Sequence, residues 1–468
     1  MRCLYTFRSI WYHREVWLGL FIVSSLTAAS VSLPLNLEAS VQASTELSFH
    51  DESSSYVFPI VAFAFTAAFA VVLATARLIV ASLRRDLGLN SILGTSPRAA
   101  ALKVIMQSSI VSMAGAVLGT IASLPFTGAY VLWTLDLPPS YVIRIHNSIT
   151  SSITAILIVL ITALLGSLGA ARTASRTRPL ELYKDDTVLQ KNRFSTSRIW
   201  LLVVCGLVLC LILATGIITL EFVLVNKQYF QQIAPSSLVV GFGIFFGVGL
   251  TGGLCILGPL VFHPIVRIVT SLVPGRASTS WFLGRRIALF RSVQSAGTIS
   301  PVFVAISIAT VLYTVFYTVM SLILDTDQYG ASTQINTRSI ISVLANPLVI
   351  SITGAAVVIF MVSKTRIQES ALLYVAGVSR NTMIVAALLE ALIYVVAACI
   401  VAAMIAIIVG AYVALMTTIF GPMATVKVAV WPGVIVAFLS FVILSISTTL
   451  QVIAGSRQKN LRVLISSE

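Results

Sequence analysis

The chain has 468 residues, of which 58% are hydrophobic and only 10% are charged, and it carries a net charge of +14. A soluble domain has about a quarter of its residues charged, so this composition excludes an ordinary soluble protein and indicates one that lies in a bilayer. The positive charge is spread between apolar runs instead of forming one patch, and this distribution argues against nucleic acid as a partner.

Long apolar runs recur along the whole chain. Several exceed 20 residues, which is enough for an α-helix to cross roughly 30 Å of hydrocarbon. The runs are continuous rather than alternating, so we expect membrane helices and not a β-barrel. Ten crossings are predicted, near residues 15–35, 57–80, 103–127, 149–171, 199–222, 236–262, 299–324, 339–363, 381–418 and 429–453. The ninth is overlong, and either tilts or ends in an interfacial segment.

Basic residues give the predicted crossings one orientation. All but four of the 30 Lys and Arg residues fall on one side or at its edge; the exceptions are Arg144, Lys227, Arg338 and Lys427. By the positive-inside rule this side is the cytoplasm, and both termini lie there. The first residues, with Arg2, Arg8 and Arg14, resemble a signal peptide. We expect an uncleaved anchor, because cleavage would leave nine crossings and weaken the charge bias.

Two stretches of the chain match each other. They are 84–96 and 367–379, and both fall on the predicted cytoplasmic side. We call the constant shift that aligns position 84 with position 367 the repeat offset, and it also pairs similar residues in the crossings that follow. The pairs are Asp86 with Glu369, Leu89 with Leu372, Ile92 with Val375, Gly94 with Gly377, Gln107 with Glu390, Gly115 with Ala398, and Gly119 with Ala402. Six crossings separate the two stretches, so the repeat is parallel rather than inverted.

The repeat divides the chain into three parts. Residues 1–186 form a first four-helix unit, residues 187–265 a linker with a two-helix spacer, and residues 266–468 a second four-helix unit. Residues 281–291 are basic and are predicted to form an amphipathic helix on the inner leaflet. The predicted fold is an all-α polytopic membrane protein of about ten transmembrane helices, as two parallel four-helix units plus a two-helix spacer.

Each repeated stretch has the residue pattern of a short helix, a glycine that ends it and a serine that caps the next helix. Leu89, Ile92 and Leu93 lie on one face of a short helix, and Gly94 suits the left-handed position that ends it. Ser96 can cap the next helix, which opens with a proline at position 97. The second copy repeats the glycine and the serine, so each copy predicts a short cytoplasmic helix between two membrane helices.

These residues also carry a family resemblance. The run Arg84-Arg85-Asp86-Leu87-Gly88 through Leu93-Gly94-Thr95-Ser96 is similar to the pattern of FtsX-like permeases, the membrane subunits of MacB-type ABC transporters. The tail at 170–182 resembles the closing pattern of that family. The resemblance extends over both four-helix units, and the ten-helix arrangement resembles that of antimicrobial-peptide resistance permeases. The second copy departs from the pattern, since Gln368-Glu369-Ser370-Ala371 lacks the arginine pair and the glycine.

The resemblance implies that both repeated stretches dock on two copies of a cytoplasmic ABC ATPase subunit. The residues expected to couple the two proteins are Arg84, Arg85, Asp86, Leu89, Gly94, Glu369, Leu372 and Gly377. The chain has no Gly-x-x-x-x-Gly-Lys-Ser/Thr phosphate loop, so ATP and Mg²⁺ are expected in the partner and no cofactor in this chain. The outer loops at 36–56 and 325–338 are short, so a separate extracytoplasmic partner supplies the usual outer module, or substrate is met within the bilayer.

Single residues inside the crossings have structural or functional interpretations. Gln107 and Glu390 are intramembrane polar residues at matching places, and they either bond a neighbouring helix or take part in transport. Small residues at a four-residue spacing permit close helix packing; they are Gly115, Gly119, Ala398 and Ala402. The histidines are scattered and the five cysteines lack zinc spacing, so neither a metal site nor a catalytic residue is predicted.

The predicted function is that of an ABC transporter permease in the bacterial plasma membrane, a transporter subunit and not an enzyme. It would export an amphipathic, peptide or lipid-like substrate, or extract it from the membrane. One alternative is an ion-coupled secondary transporter, which should show paired intramembrane carboxylates, whereas Glu390 is the one clear acidic residue inside a predicted crossing. Another is an ATPase-driven regulator of a cell-envelope enzyme.

Overall fold

The computed structural model describes residues 14–43, 48–83, 96–135, 145–174, 235–272, 278–291, 296–325, 337–418 and 425–457, together with 211, 213–219, 221–222, 225 and 274. These residues form twelve α-helices and one 3₁₀ turn. The described part of the chain is thus all-helical. The prediction of a polytopic α-helical membrane protein is confirmed.

The helices are numbered here in chain order. The first five are α1 (Arg14–Gln42), α2 (Ser48–Ser82), α3 (Pro97–Ser123), α4 (Thr127–Leu135) and α5 (Ile149–Ala174). Three follow in the middle of the chain: α6 (Pro235–Ile256), α7 (Gly258–Ser271) and α8 (Thr279–Arg291). The last four are α9 (Ala296–Asp325), α10 (Thr337–Val375), α11 (Arg380–Thr417) and α12 (Val430–Arg457).

Nine stretches of these helices, within the described residues, are long and apolar enough to cross a membrane. They coincide with nine of the ten predicted crossings. The fifth, at 199–222, lies mostly outside the described residues. We call the two ends of the bundle inner and outer, after the orientation that the basic residues predict. α1 begins at the inner end.

Two groups of four helices pack in the same manner. In the first group α1 contacts α2, α3 and α5, and in the second α9 contacts α10, α11 and α12. The repeat offset carries the start of α3 onto the start of α11, and the end of α5 onto the end of α12. Membrane-facing positions repeat as well, since Leu102 and Ile121 are exposed on α3 and their counterparts Val385 and Met404 on α11.

Small residues bring α3 against α1. A Cβ on Gly115 would lie 2.7 Å from the carbonyl oxygen of Phe21, and one on Gly119 would collide with the carbonyl oxygen of Ser25. The corresponding positions in α11, Ala398 and Ala402, are fully buried. Backbone contact of this closeness is the usual reason for glycine in a membrane helix.

We expect Gly119→Val to lower the melting temperature of the detergent-solubilised protein by a few degrees. The new side chain would force α1 and α3 apart, and overpacking of this kind costs about 1–3 kcal/mol. Ala122→Val is the matched control, because Ala122 is exposed on the same helix. Equal melting temperatures for the two variants would contradict close packing at Gly119.

The two groups meet along α2 and α10. A Cβ on Gly354 of α10 would overlap the side chain of Val71 on α2, and the repeat offset makes these two positions equivalent. Beside them, a Cβ on Gly19 of α1 would lie 2.8 Å from Sδ of Met361 on α10. We call the α2–α10 contact the seam. One continuous apolar core extends across it and includes Phe63 and Phe303, one from each group.

Helix α6 packs on the second group. A Cβ on Gly243 would lie 2.7 Å from the side chain of Val413 on α11, and one on Gly247 would collide with Val311 on α9. The glycines at these two positions therefore allow close packing.

Helices α3 and α11 begin alike but end differently. α3 stops at Ser123, and a 3₁₀ turn with Pro125 leads into α4. α11 has Ile408 at the matching position and is continuous over its full length of 38 residues, from Arg380 to Thr417. Proline lacks the amide hydrogen that an α-helix needs and clashes with the preceding turn, so Pro125 favours a break at this point. The bend brings α4 against α10, where Nδ2 of Asn346 donates a hydrogen bond to Oη of Tyr130 at 3.0 Å.

Candidate docking site at the inner end

Helix α10 extends well beyond the membrane. It has 39 residues, or about 58 Å at 1.5 Å per residue, and its apolar span covers only Val343–Met361. The following residues, 362–375, continue the same helix at the inner end. The separate short helix predicted for this copy is therefore wrong. Residues 362–375 contain neither glycine nor proline, so nothing in the sequence interrupts the helix.

The helix ends in a turn of the Schellman type. Gly377 has a φ of 88°, which L-residues rarely adopt. Its N–H donates to the carbonyl oxygen of Tyr374 at 3.0 Å, and the N–H of Val378 donates to the carbonyl oxygen of Leu373 at 3.1 Å. The side chains of Leu373 and Val378 pack on the same apolar cluster, around Met383. Gly377 thus has the helix-ending conformation that the sequence predicted.

A serine cap opens the next helix in both copies. The side chain of Ser379 accepts a hydrogen bond from the N–H of Thr382 at 3.3 Å, and Ser96 accepts one from the N–H of Ala99 at 3.3 Å. The first copy also has proline in the first turn of α3. Both predicted caps are present. The coupling residues Arg84, Arg85, Asp86, Leu89 and Gly94 lie outside the described residues.

Three apolar side chains are exposed where α10 ends. Leu372, Tyr374 and Val375 are 61%, 50% and 63% exposed, and they lie beyond the apolar span of α10. We call them the apolar tip. Exposed apolar patches outside the membrane are unfavourable in water and mark interaction sites. The internal sequence repeat identified Leu372 and paired Val375 with Ile92, but it did not predict a role for Tyr374.

A small cavity of about 40 Å³ lies behind the apolar tip, and its mostly apolar lining includes a few polar side chains. Glu369 of α10, Glu390 of α11 and Gln451 of α12 line it together, and Leu283 and Ile287 of α8 form another wall. Glu369 and Glu390, which the sequence placed at two separate sites, thus share one cavity. Their proximity is a tertiary contact between two helices, so neither the residue spacing within a helix nor the sequence repeat could predict it.

Two polar side chains that line this cavity form hydrogen bonds. Glu390 is only 2% exposed and its Oε1 accepts a hydrogen bond from Oη of Tyr394 at 3.1 Å. Nε2 of Gln451 donates to the carbonyl oxygen of Ile359 at 3.0 Å and so ties α12 to α10. Buried polar groups need hydrogen-bond partners, and Tyr394 supplies one for Glu390.

The first group of four helices has different residues at the matching positions. Gln107 replaces Glu390 and is equally buried, with its Nε2 unpartnered. Val111, Leu165 and Leu168 replace Tyr394, Thr448 and Gln451, and the two leucines are exposed. In the described residues this polar arrangement is therefore a feature of the second group, which the sequence repeat alone did not reveal.

Residues 58–177 match the family model of the FtsX-like permease C-terminal domain. The matched range begins in α2 and covers α3, α4 and α5, and it includes Gln107, Gly115 and Gly119. FtsX-like permeases are non-catalytic transporter membrane subunits that pair with ABC ATPases. No curated protein matches the chain. In the described residues, no three or more His, Cys, Asp and Glu side chains are grouped so that they could hold a metal ion.

Proposed function

We propose that this chain is the membrane subunit of an ABC transporter and that it transmits the work of separate ATPases across the bilayer. The observation that carries the proposal is the course of α10. One uninterrupted helix joins the apolar tip at Leu372, the seam at Gly354 and the outer contact at Asn346. Together with the FtsX-like match in the first unit, this arrangement suits a part that passes on movement and performs no chemistry of its own.

The chain would supply both FtsX-like units of the transporter. We assign the units to residues 1–186 and 266–468, with residues 187–265 as linker and spacer. The matching starts of α3 and α11, the matching ends of α5 and α12, and the similar packing of the two groups support this division. A further repeat supports it too, since Phe7-Arg8-Ser9 and Phe290-Arg291-Ser292 are identical and are aligned by the same repeat offset. One chain would then engage two ATPase copies, which bind ATP and Mg²⁺.

The coupling would act through the stiffness of α10. Leu372 lies 18 positions after Gly354, which corresponds to about 27 Å along an α-helix. Since the helix has no break between them, a partner that displaces the apolar tip also turns α10 at the seam. The seam consists of packed apolar side chains, and such contacts can separate without breaking buried ion pairs. ATP-driven closure of two ATPases would thereby change the contact between α2 and α10.

The setting and the substrate follow from the same features. Both termini would lie in the cytoplasm of a bacterium, and the chain in its plasma membrane, as the basic residues indicate. The short outer loops favour an amphipathic, peptide or lipid-like substrate that is met within the bilayer, or a separate extracytoplasmic partner that delivers it. Export and extraction from the membrane would use the same moving parts.

Two other functions make different predictions. An ion-coupled secondary transporter would use Glu390, the buried carboxylate on α11, and would work without nucleotide. A regulator of a cell-envelope enzyme would use the same ATPase stroke, but would pass it to an outer partner and move no substrate. We favour the ABC permease because the apolar tip requires a cytoplasmic partner, which a secondary transporter does not.

Affinity capture and reconstitution test the proposal. The tagged chain is purified from native membranes, the bound proteins are identified, and the complex is placed in liposomes. We expect an ABC ATPase to be captured and ATP hydrolysis to rise when it joins the chain. A purified chain that moves solute alone, driven by an ion gradient and indifferent to nucleotide, would overturn the proposal.

We expect Tyr130→Phe to raise basal ATP hydrolysis of the complex about fivefold. The variant keeps the ring but removes the hydroxyl that accepts from Asn346 across the two units. A buried hydrogen bond contributes about 0.5–1.5 kcal/mol, so its loss would favour separation at the outer end. Tyr317→Phe, on the partly exposed face of α9, is the control. An unchanged basal rate in Tyr130→Phe would show that the contact does not open during the cycle.

A further inference from the structure

Helix α8 has an unusual outward face. Phe282, Arg286 and Phe290 are exposed and lie four residues apart, so they form one stripe along the helix. The guanidinium carbon of Arg286 is 5.5 Å from the centre of the Phe282 ring. The opposite face packs on α11: a Cβ on Gly284 would lie 2.9 Å from the carbonyl oxygen of Ala386. The stripe therefore points away from the protein.

Helix α7 extends this surface. Arg267, Ile268 and Leu272 are exposed on α7, which contacts α8. α6 ends its apolar span at Ile256, just before α7 begins. On α11, Val385 is exposed next to Ala386, the residue that α8 contacts. Aromatic and basic side chains at this depth are typical of the boundary between hydrocarbon and headgroups.

The charge of this region has one sign. Residues 257–295 contain five arginines, at positions 267, 276, 285, 286 and 291, and neither Asp nor Glu. Positive-inside anchoring requires some basic residues, but it does not require that acidic ones be absent over a whole segment. An excess of arginine next to exposed phenylalanine is complementary to a negatively charged headgroup with an acyl chain below it.

We infer that α7 and α8 together bind an anionic phospholipid at the inner leaflet. Arg267 and Arg286 contact its phosphate, and the exposed phenylalanines and aliphatic side chains of α7 and α8 contact its acyl chains. Leu283 and Ile287 of α8 line the cavity behind the apolar tip. The lipid therefore holds α8 against α11 and stiffens the base of the tip. The lipid site stands without the proposed function; its effect on ATPase coupling rests on it.

Native mass spectrometry of the purified chain alone tests the lipid site. The protein is exchanged into detergent with phosphatidylglycerol or with phosphatidylcholine of the same acyl chains, and retained lipids are counted. We expect the wild type to retain phosphatidylglycerol in preference. The double variant Arg267→Gln with Arg286→Gln should bind it about tenfold more weakly, since each basic residue near the headgroup contributes to the attraction. Substitution of both arginines by Lys should keep the preference.

The control is Arg98→Gln, which removes an exposed charge at the inner end of α3, away from this surface. Equal retention of both lipids by the wild type, or a loss of phosphatidylglycerol no greater in the double variant than in Arg98→Gln, overturns the inference. Unchanged lipid binding together with weaker capture of the ATPase also overturns it, because the surface would then bind protein. Since the lipid assay contains no ATPase, a negative result there leaves the proposed function untouched.

Discussion

We expect Gly377→Val to reduce ATP-driven activity of the complex at least about tenfold while the chain still inserts and folds. Gly377 has a φ of 88°, and no atom lies within 4 Å of the place where its Cβ would be. The variant thus meets no steric clash with neighbours, and its whole effect comes from the backbone. A left-handed conformation costs an L-residue about 1–2 kcal/mol, and a β-branched side chain such as Val adopts it least readily.

The strain would be relieved by a change in the turn. Its two hydrogen bonds, from Gly377 to Tyr374 and from Val378 to Leu373, fix the angle between the end of α10 and the start of α11. If they break, the apolar tip is no longer held at a set angle to the seam. ATP hydrolysis and capture of the ATPase by the purified variant measure the effect.

Asparagine provides the matched control at the same position. Asn tolerates the left-handed region better than other residues that carry a Cβ, and the free space around Gly377 accommodates it. Gly377→Asn should therefore keep most of the activity. If Val and Asn reduce activity equally, the left-handed backbone is not what the coupling depends on.

Removal of the apolar tip should have the second large effect. We expect the double variant Leu372→Ala with Val375→Ala to bind the ATPase about 30–100-fold more weakly. Both side chains are more than half exposed at the end of α10, and such apolar anchors dominate protein interfaces, at about 2 kcal/mol or more together. Affinity is measured by titrating labelled ATPase onto the chain in nanodiscs.

A second double variant controls for loss of apolar area. Leu392→Ala with Val396→Ala likewise removes one leucine and one valine side chain, but from the exposed face of α11. These two residues face the membrane and not the cytoplasm, so ATPase affinity should stay at the wild-type value. Equal weakening by the two double variants would refute the assignment of the tip as a docking site.

The sequence allowed much of the fold to be predicted, because hydropathy and local turn chemistry act over short distances. Nine crossings, the glycine at 377 and the serine caps at 96 and 379 were all accessible in this way. The length of α10 was not. A short helix after a membrane helix has the same periodicity as one continuous helix, so only the lack of a breaker between 362 and 375 distinguishes them.

The site was less predictable because it depends on tertiary contacts. Glu390 and Gln451 lie on different helices, far apart in the chain, and no local pattern links them. The exposure of Tyr374 depends on the direction in which α10 leaves the bundle. The repeat offset also suggested two equal halves, whereas Tyr394, Thr448 and Gln451 have apolar counterparts in the first.

The contact between Val71 of α2 and Gly354 of α10 restricts how the two halves of the molecule can move. Val71 sits against the bare backbone of a glycine, and Ile350 and Val358 lie one turn away on either side, both buried. Translation of α2 along α10 would drive Val71 into one of these larger side chains. Rotation of the helices about this contact meets no such obstacle. We therefore expect the two halves to rotate relative to each other about Gly354 rather than to translate along α10.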